Sequence, residues 1–260
     1  MLSSPGPDGE PTGSPVEVWQ RHPCYGTSPV LTLTNRGQPC SRLVVVAAHP
    51  DDESLGAGGL IATAAAAALP IYVVLLTAGE ASPYASPNES RHALATLRLA
   101  EMENALARLS SESFLAFLGA PDGAVTGAEQ QVAHSLTELL GDGRRTLLAA
   151  PWRHDGHPDH NAAGRAAAVA AESSGARLIE YPLLAWTHRD PDDLPWDQMT
   201  GLPLNGQVRV LKNAAIHAHE SQVQAADSAD VAPLPAHVLA HFRTSFEHYV
   251  EAPPAVLSVS

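Results

Sequence analysis

The chain has 260 residues, 45% of them apolar, and its 28 acidic against 15 basic side chains give a formal charge of −13. A domain of this length buries roughly 70–75% of its unfolded surface, so a folded globular protein is expected rather than a disordered one. The negative balance excludes nucleic acid and anionic membrane surfaces as partners, and two cysteines, Cys24 and Cys40, are too few for a disulfide framework or a cysteine-based zinc site.

Residues 1–15, MLSSPGPDGEPTGSP, form a Pro/Gly/Ser-rich lead without the basic and apolar regions of a signal peptide, which predicts a partly disordered start and a cytoplasmic protein. Residues 16–41 are turn-rich with little periodicity, so residues 1–41 are read as the lead and 42–260 as a single folded domain. RLVVVAAH (42–49) and IYVVLLTAG (71–79) are short β-branched runs that suit strands buried on both faces, with GLIATAAAAAL between them as helix. The uncharged stretch Leu60 to Ala78 has the length of a membrane span, but Pro70 divides it, and a buried helix followed by a strand explains it better. Residues 91–109 place Leu94, Leu97, Ala105 and Leu109 near a helical period. SFLAFLG (113–119), TLLAAPW (146–152) and RLIEYPLLAW (177–186) read as further strands, HRDPDDLPWD (188–197) as a loop, and 207–226 and 235–250 as helices. This alternation predicts an α/β fold, a mostly parallel sheet with helices on both faces.

In such sheets ligands bind beyond the carboxyl ends of the strands. HPDDE follows the first strand, TAGE the second and RHDGHPDH the fourth, so three polar clusters gather at one sheet edge. Pro158 suits the first position of a helix, which puts His157 near its N-cap and His160 on its first turn. Imidazole and carboxylate are zinc ligands, and a catalytic zinc keeps three protein ligands plus water. His49, one of Asp51 and Asp52, and one histidine of the later loop make up such a set. A dication there answers the question of what holds three consecutive carboxylates together. It also acidifies a water, whose remaining proton a neighbouring carboxylate can take. Gly56, Gly58 and Gly59 suggest a rival dinucleotide fingerprint, but its third glycine would fall at Ile61 and the acidic loop would repel a pyrophosphate. The glycines are read instead as permitting close helix-to-strand packing.

AAHPDDESLGAGG together with HPDH resembles the PIG-L or LmbE-like family of zinc-dependent N-deacetylases, over about residues 42–223. LLTAGEAS, RLAEMENALARL, LGAPDG and KNAAIHAHESQ are lesser matches. The resemblance implies a Rossmann-like fold and hydrolysis of the N-acetyl group of an N-acetylglucosamine-type amino sugar or glycoconjugate. It implies one Zn2+ per chain on His49, Asp52 and His160, although such a donor set also takes other divalent metals. Asp51 is implied as general base and His157, when protonated, as the group that stabilises the oxyanion or acts as acid. Arg98 and Asp122 match positions that hold sugar hydroxyls, and Asp159 is read as orienting His157 by a hydrogen bond. The acidic composition tilts the substrate towards natural-product (antibiotic) biosynthesis, with loops 81–90 and 187–206 setting the choice. The alternatives are a family amidase cleaving a larger acyl group, as in mycothiol-conjugate amidases, and a metal-binding module without catalysis. Glu53 and His219 are left without a defined role.

Overall fold

In the computed structural model, residues 13–82, 90–225 and 232–251 are described; residues 1–12 of the lead and most of loop 81–90 lie outside them. Helix α1 (Val16–Arg21) is followed by a hairpin of β1 (Thr34–Asn35) and β2 (Gln38–Pro39). Arg36 and Gly37 both take positive φ at its tip, as a tight two-residue hairpin turn requires. Residues 16–41, read as turn-rich, bring Trp19, Leu31 and Cys40 into the core. Trp19 is wholly buried, edge-on to Trp186 at 4.8 Å between ring centroids.

Four β-α-β units then follow: β3 (Arg42–Ala47), α2 (Asp52–Ala66), β4 (Ile71–Leu75), α3 (Arg91–Leu109), β5 (Ser113–Phe117), α4 (Val125–Leu140), β6 (Thr146–Pro151), α5 (Pro158–Ser174) and β7 (Arg177–Tyr181). Pro182 offers no N–H to continue β7, and α6 (Ala185–His188) takes over inside the run read as one strand. Beyond lie β8 (Met199–Pro203), α7 (Gly206–Ala218), α8 (Glu220–Val223), α9 (Ala236–Phe242) and β9 (Phe246–Val250). The expected helix over 235–250 is therefore half strand: Phe246, Tyr249 and Val250 fit a pleated surface better than a helix, and β9 pairs antiparallel with both β7 and β8.

The sheet runs β5-β4-β3-β6-β7-β9-β8, with the first five strands parallel. Side chains alternate across β3: Leu43, Val45 and Ala47 enter the core under α2 and α3, while Val44, Val46 and Ala48 enter the one under α4 and α5. Burial on both faces explains why β3 reads as a continuous apolar run. The chain winds outward from β3 to β5 and returns to β6 on the other side of β3, so the crevice opens between the carboxyl ends of β3 and β6. No helix among the described residues is long and apolar enough to cross a membrane.

Candidate functional site

The loops after β3 and β6 meet at that crevice. Asp52 opens α2, and its Oδ2 accepts the N–H groups of Ala48 (2.8 Å) and His49 (2.9 Å), folding the carboxylate back under the loop. Its Oδ1 faces His160 Nε2 at 3.4 Å, and its Oδ2 lies 3.8 Å from His49 Nδ1. His160 is fixed from behind, because Asp155 Oδ2 accepts its Nδ1–H at 2.7 Å and the same carboxylate accepts the N–H groups of Leu183, Leu184 and Ala185. Motif reasoning passed over Asp155, because the backbone N–H groups that fix its carboxylate lie 28–30 residues away in sequence.

His49 Nε2 lies 3.2 Å from both Asp122 Oδ1 and Asp159 Oδ2. The remaining oxygens and backbone contacts are equally defined. Asp122 Oδ2 accepts the N–H of Ala81, and Asp159 accepts those of Gly123 and Val125 at the start of α4. The expectation that the Asp159 side chain orients His157 is corrected here. The contact between these two residues runs the other way, with His157 Nδ1 accepting the backbone N–H of Asp159 at 3.2 Å, as an N-cap does. The carboxylate turns to His49 because the unpaired N–H groups at the α4 terminus draw it there.

Asp51 sits at the α2 N-cap with φ 125 and ψ −27, a conformation that a non-glycine residue adopts under strain. Its Oδ2 is 3.4 Å from Arg98 Nη2. Arg98 is buried, and it donates from Nη2 to the Pro50 carbonyl (2.7 Å) and from Nη1 to that of Gly79 (3.0 Å), tying the β3 loop to the β4 loop. Although Glu101 lies one helical turn on, Arg98 does not form a surface ion pair with it. Glu101 instead accepts from the Ser221 N–H and hydroxyl. The HPDDE carboxylate left over, Glu53, accepts the Asp51 N–H at 3.1 Å and a hydrogen bond from His219 Nε2 at 3.0 Å. His154 lies apart, against Trp152.

The electrostatics set the two adjacent carboxylates apart. Burial raises the Asp51 carboxyl above its ordinary range, opposed by Arg98 and reinforced by Asp52. Burial also disfavours ionised Asp52, yet His160 and His49 outweigh it and hold that group well below the carboxylate range. His160 goes the opposite way: burial opposes its charge, but Asp52 and Asp155 push it up to about 9. Burial, then the charges of His160 and His49, push His157 down to about 2, so it is a neutral imidazole rather than the imidazolium expected. With Nδ1 accepting from Asp159, its hydrogen resides on Nε2, which leaves it a donor.

Two donor groups among the described residues lie within 4.8 Å of one another, His49–His157–His160 and His49–Asp122–Asp159. The second is accounted for by the hydrogen bonds just described. The pocket itself contains two buried ring nitrogens with no partner, His49 Nδ1 and His160 Nε2, and both face Asp52. Buried polar atoms without a partner cost free energy, and here they are imidazole nitrogens beside a carboxylate, the donor chemistry of a divalent cation. The residues fit a metal ion. One held there would meet His49, His160 and Asp52, with His157 at the rim.

Comparison with known proteins agrees with this arrangement. The family profile described as PIG-L, GlcNAc-PI de-N-acetylase, matches residues 44–171, which span both motifs. A Nocardia farcinica protein named 1D-myo-inositol 2-acetamido-2-deoxy-alpha-D-glucopyranoside deacetylase is 30% identical over 175 residues, 58% of this chain. The match spans 59% of that relative's length. The enzyme of the same name from Tsukamurella paurometabola is 31% identical over 74% of this chain and 78% of its own. The crystal structure of the deacetylase of the antimicrobial A40926 pseudoaglycone shares the fold, with a TM-score of 0.62 and 20% identity over 81% of this chain and 96% of its own. Motifs, sheet topology, donor cluster and relatives converge, and the chain belongs to the PIG-L family of deacetylases.

Proposed function

We propose that this protein is a zinc-dependent hydrolase that removes the N-acetyl group from an N-acetylglucosamine-type amino sugar. The observation that carries the reading is the pair of unpartnered imidazole nitrogens facing Asp52, with the raised carboxyl of Asp51 beside them. A divalent cation on His49, Asp52 and His160 supplies Lewis-acid polarisation of the acetyl carbonyl and a more acidic water. Asp51 Oδ1 or Oδ2 takes the proton of the attacking water, and burial, which raises its carboxyl above the ordinary range, makes it a stronger base than an exposed aspartate. The His157 Nε2–H donates to the oxygen on which negative charge develops. Asp155, Asp122 and Asp159 hold the imidazoles in register, so that little reorganisation accompanies charge development. The proton then passes from Asp51 to the departing nitrogen, giving acetate and a free amino sugar.

The substrate we favour is a glucosaminide on a small polar aglycone, in line with the inositol-linked compounds named for both relatives. A natural-product glycoconjugate is the second reading, prompted by the acidic composition. The unpaired thiols of Cys24 and Cys40 fit action in the reducing cytoplasm. The test is a panel of the inositol-linked N-acetylglucosaminide, simple N-acetylglucosaminides and a glycopeptide pseudoaglycone, together with the inositol compound carrying a longer acyl chain, each followed by free amine and released acid. We expect acetate from the inositol compound at least tenfold faster than acid from its longer-acyl analogue. Preferential release of the longer acid would replace the acetyl reading with the amidase one.

A further inference from the structure

Glu53 and His219 lie 166 residues apart and meet in the core, yet neither touches the donor atoms of the candidate metal site. Glu53 is fully buried, and His219 is 1% exposed. Glu53 touches the backbone of the proposed base, and His219 holds Glu53. The peptide group joining Pro50 to Asp51 is held at both ends: its carbonyl accepts from Arg98 Nη2 at 2.7 Å, and its N–H donates to Glu53 Oε2 at 3.1 Å. Rotation of that peptide is what sets φ of Asp51. The residue stays at φ 125 without a side-chain cap of its own, and a strained residue persists only where its surroundings over-determine it.

The other oxygen of Glu53 is held as firmly, by the Ser54 hydroxyl at 2.7 Å and His219 Nε2 at 3.0 Å. His219 is anchored in turn at the junction of α7 and α8. Its N–H donates to Ile216, and its carbonyl accepts the N–H groups of Gln222 and Val223. One helix grips both ends of this arrangement. On α3, Arg98 holds the Pro50 carbonyl, and Glu101, three residues on, holds the Ser221 N–H (2.7 Å) and hydroxyl (2.6 Å) beside His219. The chain therefore runs from α7 through His219 and Glu53 to the backbone of Asp51, braced by α3.

We propose that the Glu53–His219 pair is a positioning device for the base: it clamps the Pro50–Asp51 peptide so that the Asp51 carboxylate is held where it can take the proton of the attacking water. This rests on the deacetylase reading. The pair acts through Asp51 and touches no reacting atom, so its loss lowers kcat while leaving substrate affinity and the metal in place. His219→Gln keeps an N–H near the position of Nε2 and Glu53→Gln keeps an acceptor for the Asp51 N–H, whereas His219→Ala and Glu53→Ala keep neither.

The test uses the full chain loaded with zinc and the inositol-linked N-acetylglucosaminide as probe. We expect kcat to fall ten- to a hundredfold in both alanine variants, with KM within threefold of the parent and metal content unchanged by elemental analysis. We expect His219→Gln to recover at least a third of the parent's kcat. Crystal structures of the alanine variants supply a readout that needs no turnover, and there Asp51 should relax to negative φ. Asp51 remaining near φ 125 in Glu53→Ala overturns the proposal, as does a kcat within threefold of the parent, or a loss of kcat matched by loss of metal. A parent enzyme that releases no acetate defeats the deacetylase reading instead, and the variant structures still decide whether the clamp exists.

Discussion

Asp51 and Asp52 are neighbours in sequence with opposite environments. Asp52 takes two backbone N–H groups and faces two imidazoles, whereas Asp51 is held in a buried position with Arg98 as its cationic neighbour. Under the proposed function this difference gives the adjacent carboxylates separate tasks. Asp51→Asn preserves the shape of the side chain and removes only its capacity to take a proton. We expect this variant to bind metal as the parent does and to lose about a hundred- to ten-thousandfold in kcat, the range that general base catalysis contributes. Elemental analysis beside a turnover assay checks it, and parental turnover would remove Asp51 from the base role. The sequence exposed these residues because HPDDE and HPDH are contiguous and each follows a strand. The backbone partners of Asp155 and the pairing of Glu53 with His219 were less legible, since only the fold brings them together.

Elements were legible where one period dominates and obscure where two periods fit. Helix α3 was foreseen over the same residues because its apolar positions recur over five turns, and β3 and β4 because both faces are buried. FEHYV (246–250) is too short to declare a period, and its pairing with β7 and β8 comes from tertiary context. Helix α2 is the element on which the site depends, because its first turn carries Asp52 and Glu53. It lies close against the sheet, so that a Cβ added at Gly56 would stand 2.2 Å from the Tyr181 ring. That ring cannot move freely, since its hydroxyl donates to the Val46 carbonyl and the side chain is wholly buried. Gly56→Ala should therefore destabilise the protein by about 1–3 kcal/mol, through overpacking. Gly127 in α4 has open space around its Cα, and Gly127→Ala should stabilise by about 0.5–1 kcal/mol through helix propensity. Thermal unfolding of the two variants beside the parent checks both signs, and equal midpoints would show that α2 has more room than its contacts imply.

At the scale of the molecule, the winding of the sheet determines where chemistry can occur. The parallel order and its reversal between β3 and β6 bring two loops about a hundred residues apart to one crevice. Burial there deprives carboxylates and imidazoles of water, so they must satisfy one another or an ion. The parallel sheet could be foreseen from the alternation of short apolar runs and helical stretches. The antiparallel extension by β8 and β9 could not, nor could the packing of Trp19 from the N-terminal segment against Trp186. The proposed N-deacetylase activity depends on one divalent ion held by this donor set. Its most direct test is to strip the protein with a chelator, titrate back Zn2+, and follow acetate from the inositol-linked N-acetylglucosaminide in the parent and in His160→Ala. We expect no release without metal, a rise that breaks at one ion per chain in the parent, and no break in the variant; turnover that survives complete metal removal, or a His160→Ala protein that titrates like the parent, would contradict it.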